Sequence, residues 1–191
     1  MIVVFVPSAP LLLLDATPPD LQGALDEAVA CLRGEVVVVG AAPSPGWWTG
    51  SVDRTPYGVP GEPAPDPLPL ALAVGAHLVP GARLWGVPSG PLPDADAFLV
   101  VADGTAKRTL KAPGHLDERA EAFDAEVVAA LAEGDPSRLA ALDAGLAAQL
   151  WVQGLAAWQA VAALPGPWRG RVAYADAPYG VGYAVATWHR D

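Results

Sequence analysis

In this 191-residue chain the side chains with chemical capacity fall in four short segments. Pro7-Ser8-Ala9-Pro10 carries a hydroxyl and Ala41-Ala42-Pro43-Ser44 carries another. Asp103-Gly104-Thr105-Ala106-Lys107-Arg108 supplies a carboxyl, a hydroxyl and two cations, and Asp176 with Tyr179 supplies a carboxyl and a phenol. The third segment is the most informative. Lys107, Arg108, Lys111, His115 and Arg119 gather within thirteen positions of a chain that has 11 Lys+Arg in all. A positive patch in an acidic protein can steer and clamp an anionic ligand through charge-assisted bonds. The alternative is a solvated loop whose cations pair with Asp117, Glu118 and Glu121.

The other reactive side chains each have two readings. Ser8 is either a nucleophile or a turn former, and it lacks the strained Gly-x-Ser-x-Gly elbow and a histidine nearby in sequence. His115, in Pro113-Gly114-His115-Leu116, is either a site residue beside the cations or a loop residue. His77 sits in an apolar helical stretch and reads as structural; His189, near the last residue, reads as solvated. Trp47-Trp48 forms either an aromatic wall for a flat ligand or loop packing.

Composition narrows the function classes. Lys+Arg 11 against Asp+Glu 21 gives a net charge of -10, which repels a nucleic-acid backbone or an anionic membrane from most of the surface. The single cysteine, Cys31, cannot form an internal disulfide or a cysteine-based metal centre. No basic segment precedes the first apolar run, and Pro7 and Pro10 interrupt it, so the expected address is cytoplasmic. Ala144 to Trp168 is uncharged and long enough to suggest a membrane helix, but Gln149, Gln153 and Gln159 lie inside it. Trp151, Leu155, Trp158 and Ala162 recur at helical spacing, which predicts a long, largely buried core helix with Trp151 and Trp158 on its core face.

The elements that would position these residues alternate. Ile2-Val3-Val4-Phe5-Val6 reads as a buried parallel strand. Thr17-Pro18-Pro19-Asp20 reads as a capped helix start, followed by Leu21, Leu25, Val29 and Leu32 on one face and a stop at Gly34. Glu35 to Gly40 is the next strand, completing a βαβ opening. Residues 43–93 hold 12 of the 21 prolines and read as long loops, interrupted by a helix over Leu68 to Leu78 and a strand over Ala82 to Val87. Ala97 to Ala102 is a further strand. Helices follow over Asp117 to Glu133 and from Asp135-Pro136, and strands over Arg171 to Tyr174 and Gly182 to Trp188 end the chain. The expected fold is one α/β domain over residues 1–191, with a central, mostly parallel sheet flanked by helices on both faces and long proline-rich loops. In such a sheet ligands collect beyond the carboxyl ends of the strands, where all four segments fall.

Val101-Ala102-Asp103-Gly104-Thr105-Ala106-Lys107-Arg108, Lys111-Ala112-Pro113-Gly114-His115-Leu116-Asp117, Ala122-Phe123-Asp124 and Glu133-Gly134-Asp135 resemble the LigB-type class III extradiol ring-cleavage dioxygenases, in particular a short actinobacterial branch. Ala177-Pro178-Tyr179-Gly180-Val181-Gly182-Tyr183 and the Pro7-Ser8-Ala9-Pro10 turn extend the likeness over nearly the whole chain. The resemblance implies a LigB-like fold and an Fe(II) cofactor held by two histidines and a glutamate, with a further histidine as acid/base. Here the first ligand position is matched by Ser8, the second falls among Ala41, Ala42 and Pro43, and the acid/base position falls at Ala106 or Lys107. A neutral hydroxyl is a weak ligand for Fe(II), and an ammonium has no lone pair to give.

Three readings follow: a metal-free relative that binds a small anionic or aromatic molecule, an active dioxygenase using rearranged ligands such as His115, Asp103 and Asp176, or a protein-interaction scaffold. The first is the preferred expectation, with no cofactor, no nucleic-acid or membrane partner, and a homo-oligomer left open. Its candidate cleft residues are Ser8, Ser44, Asp103, Thr105, Lys107, Arg108, His115, Asp176 and Tyr179.

Overall fold

The computed structural model describes residues 1–14, 16–88 and 91–190. Ser89 and Gly90, at the end of the proline-rich stretch, lie outside the described residues. Among the described residues all strands join one seven-stranded sheet. They are β1 (Ile2–Val6), β2 (Val36–Ala41), β3 (Gly46–Trp48), β4 (Arg83–Val87), β5 (Ala97–Val101), β6 (Arg169–Asp176) and β7 (Tyr183–His189), in the order β3-β4-β2-β5-β1-β7-β6. The pairs β4-β2, β2-β5 and β5-β1 are parallel, whereas β3-β4, β1-β7 and β7-β6 are antiparallel. The sheet is therefore mixed: a four-stranded parallel centre with antiparallel additions on both sides.

The central strands are buried on both faces, which is why they read as continuous β-branched runs without alternation. In β1 the side chains of Val3 and Phe5 point to one core and those of Val4 and Val6 to the other. Helices α1 (Pro19–Val29) and α2 (Leu70–Leu78) cover the second face, α1 over β1, β6 and β7 and α2 over β2, β4 and β5, and Leu21, Leu25, Leu72 and Val74 join Val38 and Leu99 in one core. Helices α3 (Ala120–Glu133), α4 (Pro136–Ala140), α5 (Ala144–Gln149) and α6 (Leu155–Ala162) cover the first. Helices thus lie on both faces, as expected of an α/β chain.

Caps follow local chemistry in two cases and depart from expectation in a third. Asp135 accepts from the Ser137 N–H at 2.8 Å and Asp143 from the Leu146 N–H at 2.6 Å, each satisfying a donor left free in the first turn. Helix α1 instead begins after Pro18 with no side-chain cap, so Thr17 does not act as one.

The long C-terminal helix expected over Ala144 to Trp168 is two short helices. They are separated by a turn in which Trp151 adopts φ 60°, a left-handed conformation no helix can pass through. The break turns Trp151 outward, 52% exposed, while Trp158 on α6 is buried at 2%. Helical periodicity placed Trp158 correctly and Trp151 wrongly, because the count ran across a turn. No helix among the described residues is long and apolar enough to cross a membrane.

Candidate functional site

The loop leaving β5 is fixed at nearly every residue. The Gly104 N–H donates to the Gly182 carbonyl at 2.7 Å, the Gly182 N–H to the Thr105 carbonyl at 2.8 Å, and the Arg108 N–H to the Gly180 carbonyl at 3.0 Å. Farther along, the Ala106 N–H donates to the Leu150 carbonyl and the Asp117 N–H to the Lys107 carbonyl, each at 3.0 Å. These bonds tie the loop to the segment before β7, to the end of α5 and to its own return.

Asp124 of α3 anchors this loop. Its carboxylate accepts from the Thr105 N–H at 2.8 Å and the Thr105 hydroxyl at 2.9 Å, and it pairs with Arg108 at 3.2 Å. Gly104 permits the approach, since a Cβ there would stand 2.5 Å from Asp124 Oδ1. Burial pushes the Asp124 carboxyl above its ordinary range, and the Thr105 and Arg108 bonds oppose that rise. Thr105 itself is fully buried. Asp124 did not figure among the sequence-derived site residues. Its signal is positional: with Ala120, Phe123, Val127 and Leu131 it lies on the buried face of α3, where an acid needs partners.

Beyond the carboxyl ends of β1, β2 and β5 lies a cleft of about 260 Å³, lined by Ser8, Ala41-Ala42-Pro43, Leu70 and Gln153 among others. The two positions at which the resemblance puts metal ligands therefore meet in one place. Below them, Asp103 accepts from the Ser8 N–H at 2.6 Å and pins the turn. Desolvation pushes the Asp103 carboxyl up to about 7 despite that bond, and the Asp103 charge adds to burial in raising the Tyr183 phenol. Among the described residues, the polar side chains lining the cleft are Ser8 and Gln153. In the sequence Gln153 is one of three glutamines inside the uncharged stretch from Ala144 to Trp168. It reaches the cleft because the turn before α6 carries it there.

The remaining candidates are dispersed. Lys107 lies over the exposed Trp151 ring, its Nζ 5.4 Å from the centroid. Arg108 points to Asp124 and Glu121, and Arg119 makes a two-pronged pair with Asp117 at 3.0 and 2.8 Å and donates to Gln149. That pairing holds the Asp117 carboxyl down to about 2. Arg108 and Arg119 therefore follow the paired-loop alternative, not the anion clamp. His115 is exposed at φ 60°, its Nδ1 2.8 Å from the Leu110 carbonyl oxygen. Ser44 is exposed, and its carbonyl receives the Trp48 indole N–H at 2.9 Å. Trp47 packs edge-on against Trp85 with Arg83 above it, which is loop and edge packing. Tyr179 is exposed on the rim beside Thr109 and Lys111. Asp176 lines a separate cavity with Arg108. His77 is exposed in the last turn of α2, and His189 is exposed at the end of β7.

The donor set does not fit Fe(II). Serine, alanine and proline occupy the expected ligand positions, and no group of three His, Cys, Asp or Glu among the described residues is placed to hold a metal ion. His115, Asp103 and Asp176 do not form the rearranged ligand set either. No protein-family model and no curated protein matches this chain.

Proposed function

We propose that this chain is a metal-independent relative of the extradiol ring-cleavage dioxygenases that holds a small, uncharged aromatic molecule in the cleft beyond β1, β2 and β5. One observation carries the reading: Ser8 and Ala41-Ala42-Pro43 converge on a cleft with apolar walls and two hydrogen-bonding side chains, Ser8 and Gln153. A small apolar cleft with a few convergent polar groups suits a flat ring bearing a hydroxyl. The cleft lining carries no cationic side chain among the described residues, which favours the aromatic half of the expected ligand class over the anionic half.

The test uses catechol as probe and the full chain, treated with a chelator and then with or without added Fe(II). The reading expects catechol to raise the melting temperature equally in both samples, and Ala42→Trp, which fills the cleft, to abolish the rise. About one iron retained per chain together with catechol-dependent oxygen uptake would overturn it. So would the absence of any catechol-induced shift.

A further inference from the structure

On the opposite side of the β5 loop, a cavity of about 230 Å³ lies between α3 and the β6-β7 hairpin. Its walls are mostly apolar: Val127, Val128 and Ala184 form the sides and the buried Trp158 reaches in from α6, with Tyr183 and the Arg108–Asp124 pair set among them. Its mouth is acidic. Glu121 on α3, with a side chain 82% exposed, and Asp176 at the end of β6 both line it.

The charge balance identifies the ligand class. Arg108 is the one cation among the described lining residues, and it is committed to the buried Asp124 at 3.2 Å, so this pair is close to neutral. Glu121 lies farther from Arg108, at 3.7 Å, and is largely solvated. Asp176 gives one oxygen to the Ala177 N–H at 2.7 Å, a bond that orients the carboxylate without neutralising it. Two negative charges therefore remain at the mouth of an apolar cavity. An anion would meet net repulsion there, whereas a cation would be attracted to the carboxylates while its apolar part enters against Val127, Val128 and Trp158.

We infer that this cavity is a binding site for a small amphipathic amine, an ammonium group on a compact apolar body. The volume is below the roughly 300–1,000 Å³ of sites that take drug-sized ligands, which limits the part that enters to a small body. The inference stands apart from the cleft beyond β1, β2 and β5: it shares no lining residue with that cleft and does not depend on the family resemblance.

Three probes with one apolar body and different charges test it: cyclohexylmethylammonium, cyclohexylmethanol and cyclohexanecarboxylate, titrated into the full chain and followed by NMR shifts of the indole N–H groups. The ammonium is expected to bind saturably and about ten-fold or more tighter than the carboxylate, with the alcohol between them. Glu121→Gln combined with Asp176→Asn changes two exposed side chains and should remove most of that preference. Val128→Trp should fill the cavity and abolish binding of all three probes, with an unchanged circular dichroism spectrum reporting that the fold persists. Equal or tighter binding of the carboxylate overturns the inference. So does amine binding that survives both the double variant and Val128→Trp, or an ammonium probe that does not saturate by about 10 mM, where affinity falls below the weakest specific range.

Discussion

Thr105 and Asp124, nineteen positions apart, are joined by two hydrogen bonds to a single carboxylate, one from the Thr105 backbone and one from its hydroxyl. This contact fixes the loop after β5 against α3 and decides where Arg108 points. With the guanidinium drawn to Asp124, the cationic segment conspicuous in the sequence does not line the cleft at the carboxyl ends of the parallel strands. The loop instead lines the acid-rimmed cavity through Gly104 and Arg108, and the described lining of the cleft bounded by Ser8 carries no charged side chain.

Removing the anchor should be costly. Asp124→Ala leaves a buried N–H, a buried hydroxyl and a half-buried guanidinium without their acceptor, for an expected loss of about 3–5 kcal/mol. Asp124→Asn retains one acceptor oxygen and should lose about 1–2 kcal/mol. Urea titration of both variants checks the order. A loss below about 1 kcal/mol for the alanine variant would show that the loop holds its place by other means.

Asp103 predicts a pH dependence with a definite sign. Burial raises its carboxyl from the ordinary 3.8 to about 7, so between those values the folded chain holds the proton that the unfolded chain has released. Its contribution to stability is therefore present below about pH 4 and is lost as pH rises through about 7. Asp103→Asn keeps an oxygen for the Ser8 N–H and carries no charge at any pH. The variant should match the parent near pH 4 and gain on it progressively toward pH 8, read as the difference between their urea midpoints. Parallel curves would mean that the Asp103 carboxyl titrates at its ordinary value.

How much of this was legible in the sequence depends on the range over which each feature is determined. The runs Ile2 to Val6 and Ala97 to Val101 announce buried strands because burial on both faces demands apolar residues at every position. Asp135-Pro136 announces a helix start because the cap is local. The antiparallel pairing of β7 on β1 was not legible, since Tyr183 to His189 would read the same beside either neighbour. The convergence of Ser8 with Ala41 to Pro43 followed from the rule that ligands collect at strand ends. The direction of Arg108 did not, because it depends on an acid from a helix that begins a dozen residues later. Trp151 failed for a local reason: its left-handed backbone has no signature in side-chain periodicity.

The two tryptophans expected on one helix face should now behave oppositely. Trp158 packs in the core beneath α6, and Trp158→Ala should cost about 3–5 kcal/mol through lost burial and the cavity left behind. Trp151 is half exposed and occupies a left-handed position that glycine tolerates better, so Trp151→Gly should change stability by less than about 1 kcal/mol. Denaturant midpoints compared at one temperature separate the two, and similar large losses would place Trp151 back in the core.

Restoring one imidazole should not restore a metal centre. In Ser8→His the new ring would face Ala41-Ala42-Pro43, Leu70 and Gln153, none of which offers a nitrogen lone pair or a carboxylate. Asp103, the nearest acid in the hydrogen-bonding pattern, is already held by the backbone of the same turn. A ferrous ion needs about three protein ligands to be retained with open positions for substrate, and a single histidine leaves it mostly hydrated. Ser8→His should therefore retain no stoichiometric iron after gel filtration and show no catechol-dependent oxygen uptake. Its bulk should also weaken catechol binding to the cleft relative to the parent. Iron retained at about one per chain in the variant, with elemental analysis as the readout, would mean that the cleft can recruit ligands from elsewhere in the fold.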